Sequence, residues 1–113
     1  MAGAVIRRGP FVVVAAPGGY GKPRRALVVQ SDLFDELPSV SVCPLTSMLR
    51  DDADQLRLEV HPSTRNGLHE VSQIAIEKIA ALPAAKIDGM IGEADDALLL
   101  RVNRAVALFL GIV

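Results

Sequence analysis

The sequence predicts a mainly β protein of the α+β class: a small barrel-like sheet of about five to seven strands, followed by an amphipathic C-terminal helix. Short apolar, β-branched runs separated by glycine- and proline-rich turns are typical of small barrels and curled sheets. An apolar repeat of helical period occurs near the C-terminus. The chain has 113 residues, of which 50% are hydrophobic. We therefore expect residues 1–113 to form a single domain with its own core.

Five segments carry the patterns of strands. The clearest lies within residues 55–61, where Leu56, Leu58 and Val60 alternate with polar or charged residues, as in a half-buried strand. Glycine- or proline-containing turns follow the first and the fourth segment. The predicted strands are residues 11–16, 26–30, 39–45, 55–61 and a fifth around 73–77.

The last segment, residues 93–110, is predicted to be an amphipathic helix. Arg101 and Arg104 fall on its polar side, and Gly111 is expected to end it. The apolar residues that recur at three- and four-residue steps are Leu98, Val102, Ala105, Val106 and Phe109. The carboxylates expected to stabilise its first turn through the helix dipole are Glu93, Asp95 and Asp96.

Composition excludes several classes of protein. The single cysteine, Cys43, rules out an intramolecular disulfide framework and suits the reducing cytoplasm. The two histidines, His61 and His69, have no cysteine or histidine at metal-ligand spacing, so we expect neither a metal nor another cofactor. No signal peptide or membrane-spanning run is recognisable, so we predict a cytoplasmic protein without a membrane partner.

The net charge is −1 with a pI near 6.1, so nucleic acid could be held only by local basic clusters. The cluster of most interest is Lys22, Arg24 and Arg25, where a glycine-rich loop becomes a strand. The next predicted strand ends in the hydroxyl pair Thr46-Ser47. A cation beside a hydroxyl suits a phosphodiester site, although a solvated surface would carry the same residue types.

The order of these segments resembles the MazF/PemK family of bacterial toxin endoribonucleases over nearly the whole chain. The resemblance begins at Arg8-Gly9. It is strongest in residues 22–32, Lys-Pro-Arg-Arg-Ala-Leu-Val-Val-Gln-Ser-Asp, and continues at Pro44-Leu45-Thr46-Ser47. Ser72 and Glu77 match a later family segment, and the C-terminal helix fits as well.

The chain also departs from the family pattern. Arg25 stands where the family has a proline after its catalytic arginine, and Pro23 lies two residues upstream. Ala80-Ala81-Leu82 replaces an Arg-Thr-Ile motif, which removes an arginine that could contact RNA. Gly9-Pro10 replaces the usual Gly-Asp.

The resemblance implies an SH3-like or CcdB-like barrel and metal-independent, sequence-selective cleavage of single-stranded RNA. The substrate's 2′-hydroxyl would attack the phosphorus, leaving a 2′,3′-cyclic phosphate and a 5′-hydroxyl. Arg24 is implied as the main catalytic residue, stabilising charge on the phosphorane, with Thr46 as the partner hydroxyl. The alternatives are a surface arginine that pairs with a carboxylate and a hydroxyl that satisfies a turn.

Further residues could assist. Ser47 could help Thr46, Lys22 and Arg25 could contact flanking phosphates, and Tyr20 could stack on a base. Glu77 matches a family acidic position and could act as a base or contact a nucleobase. An outward-facing strand carboxylate is the alternative interpretation of Glu77.

The resemblance also implies a homodimer and a cognate antitoxin whose acidic, disordered segment covers the cationic groove. Candidates for the dimer seam are Leu68, Ile74, Met90 and part of the helix stripe, although core packing is the default interpretation of these residues. A second hypothesis is a non-enzymatic toxin that poisons DNA gyrase, because residues 28–32, Pro44-Leu45 and residues 109–112 also look like CcdB. The chain lacks the tryptophan on which that activity depends. A third hypothesis is a family member that binds RNA or antitoxin without turnover.

Overall fold

The computed structural model describes residues 8–15, 22–52 and 55–112, which form a curled antiparallel sheet with one α-helix. The elements in chain order are β1 (Pro10–Val14), β2 (Arg24–Val28), β3 (Ser39–Thr46), β4 (Arg57–Val60), β5 (Ser72–Ala75), β6 (Ala80–Pro83), β7 (Ile87–Glu93) and α1 (Asp96–Leu110). The predicted fold class, mainly β with a C-terminal helix, is confirmed.

The sheet has seven strands in the order β4-β5-β3-β2-β1-β7, with β6 paired to β3 off this path. Both β5 and β6 pair with the same edge of β3: β6 along Ser39–Val42 and β5 at Leu45–Thr46. β6 and β7 both lie at edges of the sheet, and they are consecutive in the chain. A 3₁₀ turn at Ala84–Lys86 connects them, which brings these two edges close together. The sheet is therefore strongly curled but not closed.

The curl buries apolar residues on both faces of β1, β2 and β3. Leu27 and Cys43 belong to the larger core, which includes Val102 of the helix. Val28 and Val42, one position away, belong to a smaller core of five buried residues. Because strand side chains alternate between faces, these near-continuous apolar runs supply both cores.

The five predicted strands are confirmed, with shifts of a few residues, but β6 and β7 were not predicted. Alanine in Ala80–Pro83 and two glycines in Ile87–Glu93 have low strand propensity, and pairing with β3 and β1 makes these segments strands. The fifth strand ends earlier than predicted, at Ala75. Glu77 therefore lies on a 3₁₀ turn, Ile76–Lys78, and not on a strand.

The C-terminal helix is confirmed with two corrections at its ends. Glu93 is the last residue of β7, and the N-cap is Asp95, whose carboxylate accepts a 2.8 Å hydrogen bond from Leu98 N. Gly111 ends the helix in a left-handed conformation, as predicted. Phe109 does not continue the buried stripe, because it is 42% exposed.

Two of the candidate dimer residues are internal, in agreement with the default interpretation of core packing. Leu68 and Ile74 are buried in the larger core, so neither side chain is available to a second copy of the chain. Met90 is exposed and remains available. Within the residues described, no helix is both long and apolar enough to cross a membrane.

The turn before β5 crosses β7 at very close range. A Cβ placed on Gly92 would lie 2.3 Å from the backbone carbonyl of Asn66. Asn66 itself is buried, and its side chain holds the turn through bonds to Ser63 N, His61 O and Leu68 N. Gly92 is thus required by backbone packing.

A buried ion pair joins β4 to the turn that follows β5. Arg57 Nε donates to both carboxylate oxygens of Glu77, at 3.0 and 2.8 Å. The side chains are 6% and 26% exposed, respectively. Hydrogen bonds from Arg57 hold the pKa of the Glu77 carboxyl below its usual value.

We expect Gly92→Ala to destabilise the fold by about 1–3 kcal/mol, the range typical of overpacking, because the new methyl group meets backbone that cannot rotate away. Gly89→Ala, in the same strand, is the matched control, since a Cβ there meets nothing within 4 Å. Urea unfolding measures both variants. Equal stability of the two variants would contradict the close crossing.

We expect the ion pair to make stability depend on pH. Because the folded-state pKa of Glu77 lies below the ordinary 4.5, ionised Glu77 stabilises the fold fully above about pH 4.5. That contribution is lost as the pH falls through the folded-state pKa. Glu77→Gln should cost about 1–3 kcal/mol at pH 7, below the range for fully buried pairs because Glu77 is partly exposed.

The difference in unfolding free energy between wild type and Glu77→Gln should therefore shrink at pH 3. Denaturant unfolding at pH 7 and pH 3 measures it. A difference that stays constant over this range would show that ionisation of Glu77 contributes nothing to stability.

Candidate functional site

Arg24 and Thr46 lie at the point where two paired strands separate. The ladder between β2 and β3 ends at the pair Ala26↔Pro44. Beyond it, β2 continues along β1 as far as Arg24, which pairs with Val14, and β3 continues along β5. Arg24 and Thr46 are each two residues past the last shared pair, so alternation places them on the same face of their strands.

The separated strand ends line a groove of about 460 Å³. The residues that line it are Lys22, Pro23, Arg24, Arg25, Leu45, Thr46, Ser47 and Met48. Three are cationic, two carry hydroxyls and none carries a carboxylate. The structure thus brings five of the predicted site residues together, from two segments about twenty residues apart in sequence.

The two neighbouring arginines of this groove differ in their partners. Arg25 forms a 3.2 Å ion pair with Glu70, and its side chain is 28% exposed. Arg24 is exposed, and among the described residues no carboxylate lies within ion-pair distance of its guanidinium. Carboxylate pairing, the alternative weighed for Arg24, is therefore found at Arg25. Within the described ranges, the Arg24 guanidinium forms neither an ion pair nor a side-chain hydrogen bond.

The hydroxyl of Thr46 is held in a defined orientation. Its Oγ1 accepts a 3.1 Å hydrogen bond from the backbone N–H of Met48. A hydroxyl has one hydrogen to donate, and this contact uses only acceptor capacity. Thr46 can therefore still donate to an anionic oxygen in the groove. Ser47, next in the chain, is exposed beside it.

Two predicted site residues are not part of the described groove. Glu77 does not line it, and its carboxylate is engaged by Arg57. A carboxylate with a lowered pKa that already accepts several hydrogen bonds is a poor proton acceptor. Tyr20 lies outside the described residues.

Met48, Pro23 and Leu45 line the groove and were not predicted from the sequence. Met48 is 81% exposed, an unusual position for an apolar side chain. It gives the groove an apolar surface beside its cations. The one feature of the sequence that could have indicated Met48 as a groove residue is its position immediately after Thr46-Ser47.

The end of the segment with the strongest family resemblance, Gln30-Ser31-Asp32, supports the turn between β2 and β3. The Gln30 amide donates to Phe34 O at 2.8 Å and accepts from Ser41 N at 3.0 Å. The Ser31 hydroxyl accepts from Leu33 N at 3.2 Å. These contacts set the geometry at the far end of the same two strands, away from the groove.

A second groove, of about 300 Å³, lies at the start of α1. Its charged walls mix Arg65 and Arg101 with Glu59, Glu93 and Asp95, so it lacks the uniformly positive lining of the first groove. Elsewhere, burial raises the pKa of the Cys43 thiol to about 12, so this side chain stays protonated at neutral pH. Over the three described ranges, no three His, Cys, Asp or Glu side chains are grouped so that they could hold a metal ion.

Comparison with known proteins identifies relatives along nearly the whole chain. Residues 7–110 match the family described as PemK-like, MazF-like toxin of type II toxin–antitoxin system. A protein of Mycolicibacterium smegmatis named probable endoribonuclease MazF is 38% identical over 108 residues, which cover 95% of this chain and 98% of that protein.

Solved structures share the fold at lower sequence identity. An endoribonuclease from mycobacterial species, in complex with its cognate antitoxin, is 22% identical with a TM-score of 0.78 over 96% of this chain and 97% of that one. MazF in a MazE–MazF complex from Deinococcus radiodurans is 22% identical with a TM-score of 0.74, over 96% and 98%. With a family match spanning most of its length and a curated relative of the same size, the chain belongs to the PemK-like, MazF-like toxins of type II toxin–antitoxin systems.

Proposed function

We propose that this protein is a toxin endoribonuclease that cleaves single-stranded RNA sequence-selectively and without a metal ion. The name of the Mycolicibacterium smegmatis relative supports the activity. The observation that carries the proposal is that Arg24 and Thr46 line one groove. In the described residues Arg24 has no carboxylate partner, and the Thr46 hydroxyl is oriented by a hydrogen bond from Met48 N. We place the protein in the cytoplasm, where mRNA is accessible.

The reaction is an internal transesterification. The substrate's 2′-oxygen forms a bond to phosphorus and gives up its proton. The bond from phosphorus to the 5′-oxygen breaks, and that oxygen takes up a proton. The products are a 2′,3′-cyclic phosphate and a 5′-hydroxyl. Between them lies a phosphorane whose non-bridging oxygens carry extra negative charge, and this charge is what the groove must stabilise.

Arg24 stabilises that charge. Its planar guanidinium can donate two parallel hydrogen bonds to phosphate oxygens, and an arginine side chain carries a permanent positive charge. Thr46 donates its hydroxyl hydrogen to another non-bridging oxygen or relays a proton. A donor that is oriented before the reaction, as Thr46 is by Met48 N, needs little reorganisation in the transition state and can contribute strongly to rate.

The other groove residues bind the strand on either side. Lys22 and Arg25 contact flanking phosphates, Ser47 assists Thr46, and Met48 offers an apolar surface to an unstacked base. Tyr20 is assigned to base stacking as well. Bases that are unstacked in single strands expose the edges by which proteins recognise RNA sequence.

A homodimer and an antitoxin partner belong to the same proposal. Met90, Leu108 and Leu110 are large apolar side chains that this single chain leaves exposed, and they are available to a second copy. Solved complexes of a mycobacterial endoribonuclease and of Deinococcus radiodurans MazF with their antitoxins support an antitoxin partner. An acidic segment would complement a groove lined by three cations.

The residues behind the gyrase hypothesis have a local structural role. Gly111 is the left-handed C-cap of α1, and Ile112 N donates to Ala107 O at 2.9 Å. These contacts close the last turn of the helix, as expected for a glycine C-cap. They give no specific support to gyrase binding.

We expect Arg24→Ala to lower the cleavage rate by about 10²–10³, because a preorganised charged donor is removed. The measurement is cleavage of a long single-stranded RNA in excess chelator, with mapping of cut sites and 3′ ends. Wild type should give discrete cuts with cyclic-phosphate ends. Arg104→Ala, an exposed arginine on α1, is the matched control and should cleave normally.

Full activity of Arg24→Ala would refute the assignment of this residue. RNA left intact by the wild type would refute the enzyme and favour a binding role. Inhibition of DNA supercoiling would then support the gyrase hypothesis, and deletion of the last three residues should abolish it.

We expect Lys22→Ala to weaken RNA binding and to make it less sensitive to salt. One phosphate contact of a single strand contributes a slope of about 0.7 in log affinity against log salt concentration, and losing Lys22 should reduce the slope by that amount. Affinity for a non-cleavable 2′-deoxy oligonucleotide, measured from 50 to 300 mM salt, tests this. An unchanged slope would place Lys22 away from the backbone of the strand.

A further inference from the structure

The wall of the groove that follows Thr46 has little packing of its own. Residues 47–52 form no helix or strand, and Met48 and Leu49 are exposed large apolar side chains. Exposed loop residues of this kind have few contacts to fix them. Some other interaction must keep this segment in place if the groove is to hold one shape.

That interaction comes from a single buried side chain, Gln73. Its Oε1 accepts a 3.0 Å hydrogen bond from Arg50 N, and its Nε2 donates a 2.9 Å hydrogen bond to Arg50 O. Gln73 therefore binds both backbone groups of one loop residue, as a neighbouring strand would. Its side chain has no other partner in the described residues, and Gln73 is only 4% exposed.

These two hydrogen bonds between Gln73 and Arg50, the Gln73 clamp, are connected to the candidate catalytic hydroxyl of Thr46 in two ways. Gln73 is the register partner of Thr46 in the ladder between β3 and β5. The clamped segment also supplies Met48 N, which holds Thr46 Oγ1. Loss of the clamp would free the backbone on which both the orientation of Thr46 and the position of Ser47 depend.

We propose that Gln73 is a positioning residue for RNA cleavage, which acts through Arg50, Met48 and Thr46 and does not touch the substrate. This inference rests on the proposed ribonuclease function. A displacement on the order of 1 Å in a catalytic group can cost about 10²-fold in rate. The loss of Gln73 should therefore lower kcat and leave KM nearly unchanged, because Arg24, Arg25 and Lys22 stay on a different segment.

The test compares Gln73→Leu with Gln30→Leu, which makes the same amide-to-alkyl change. Gln30 binds Ser41 N near the start of β3, whereas Gln73 lies beside Thr46 at its end. We expect kcat on a short RNA to fall at least tenfold for Gln73→Leu at a KM within twofold of wild type. Gln30→Leu should lower Tm but keep its kcat. A normal kcat for folded Gln73→Leu, or an equal loss in both variants, would overturn the proposal.

A double-mutant cycle identifies the path of the effect. In a Thr46→Val background the oriented hydroxyl is absent, so Gln73→Leu should cause little further loss of kcat. Full additivity of the two substitutions would overturn an action through Thr46. If Gln73→Leu fails to fold, Gln73→Glu replaces it, since its carboxylate can accept from Arg50 N but cannot donate to Arg50 O. An intermediate loss of kcat supports the proposal, and no loss contradicts it.

Amide hydrogen exchange gives a readout that does not need activity. Exchange at the Met48 and Arg50 amides should be at least tenfold faster in Gln73→Leu than in wild type, with Gln30→Leu as control. Unchanged exchange would refute the clamp itself. A wild type that fails to cleave RNA, but whose Met48 amide responds to Gln73, would refute the proposed function and leave the positioning of the loop established.

Discussion

The antiparallel pairing of β2 with β3 is the constraint on which the site depends. The pairing stops at Ala26↔Pro44, next to the site, and its far end lies beside the turn that the Gln30 side chain binds. A slip of one residue in this register would turn every side chain of one strand to the opposite face. Arg24 would then lie on the face opposite to Thr46. The core and the site are therefore specified by the same ladder.

Ion pairing, and not net charge, decides which cations of this nearly neutral chain lack a carboxylate partner in the described residues. Several arginines are neutralised by carboxylates: Arg25 by Glu70, Arg50 by Asp52 and Arg57 by Glu77. In the described residues, Arg24 and Lys22 lack such partners and share a groove without a carboxylate in its lining. Under the proposed function, an anionic strand would be attracted to this groove by short-range contacts, over distances close to the Debye length of about 8 Å. A uniformly basic surface would bind any polyanion, whereas this arrangement favours a ligand that fits the groove.

Much of this arrangement could be predicted from the sequence, because it depends on local patterns. Apolar alternation and turn residues gave five strands and the helix, and the order of Arg24 and Thr46 along the chain pointed to the groove. The parts that could not be predicted depend on pairing between distant segments. β6 and β7 are strands because β3 and β1 offer them partners, despite alanine and glycine in their sequences. The partners of Arg25, Glu77 and Gln73 likewise follow from tertiary contacts, which no spacing in the chain encodes.

The groove itself follows from a change of partner along β3. Pro44 has no backbone N–H to donate, and the ladder with β2 ends at this residue. Past it, β3 pairs with β5 while β2 stays with β1, so the two strands are held from their outer sides and separate. Arg24 and Thr46 both line that opening, and each lies on a strand that is paired with a different neighbour. On the β5 side, Gln73 also holds the segment that follows β3, through its two hydrogen bonds to the backbone of Arg50. The opening between β2 and β3 is therefore built from strand pairing plus one buried amide.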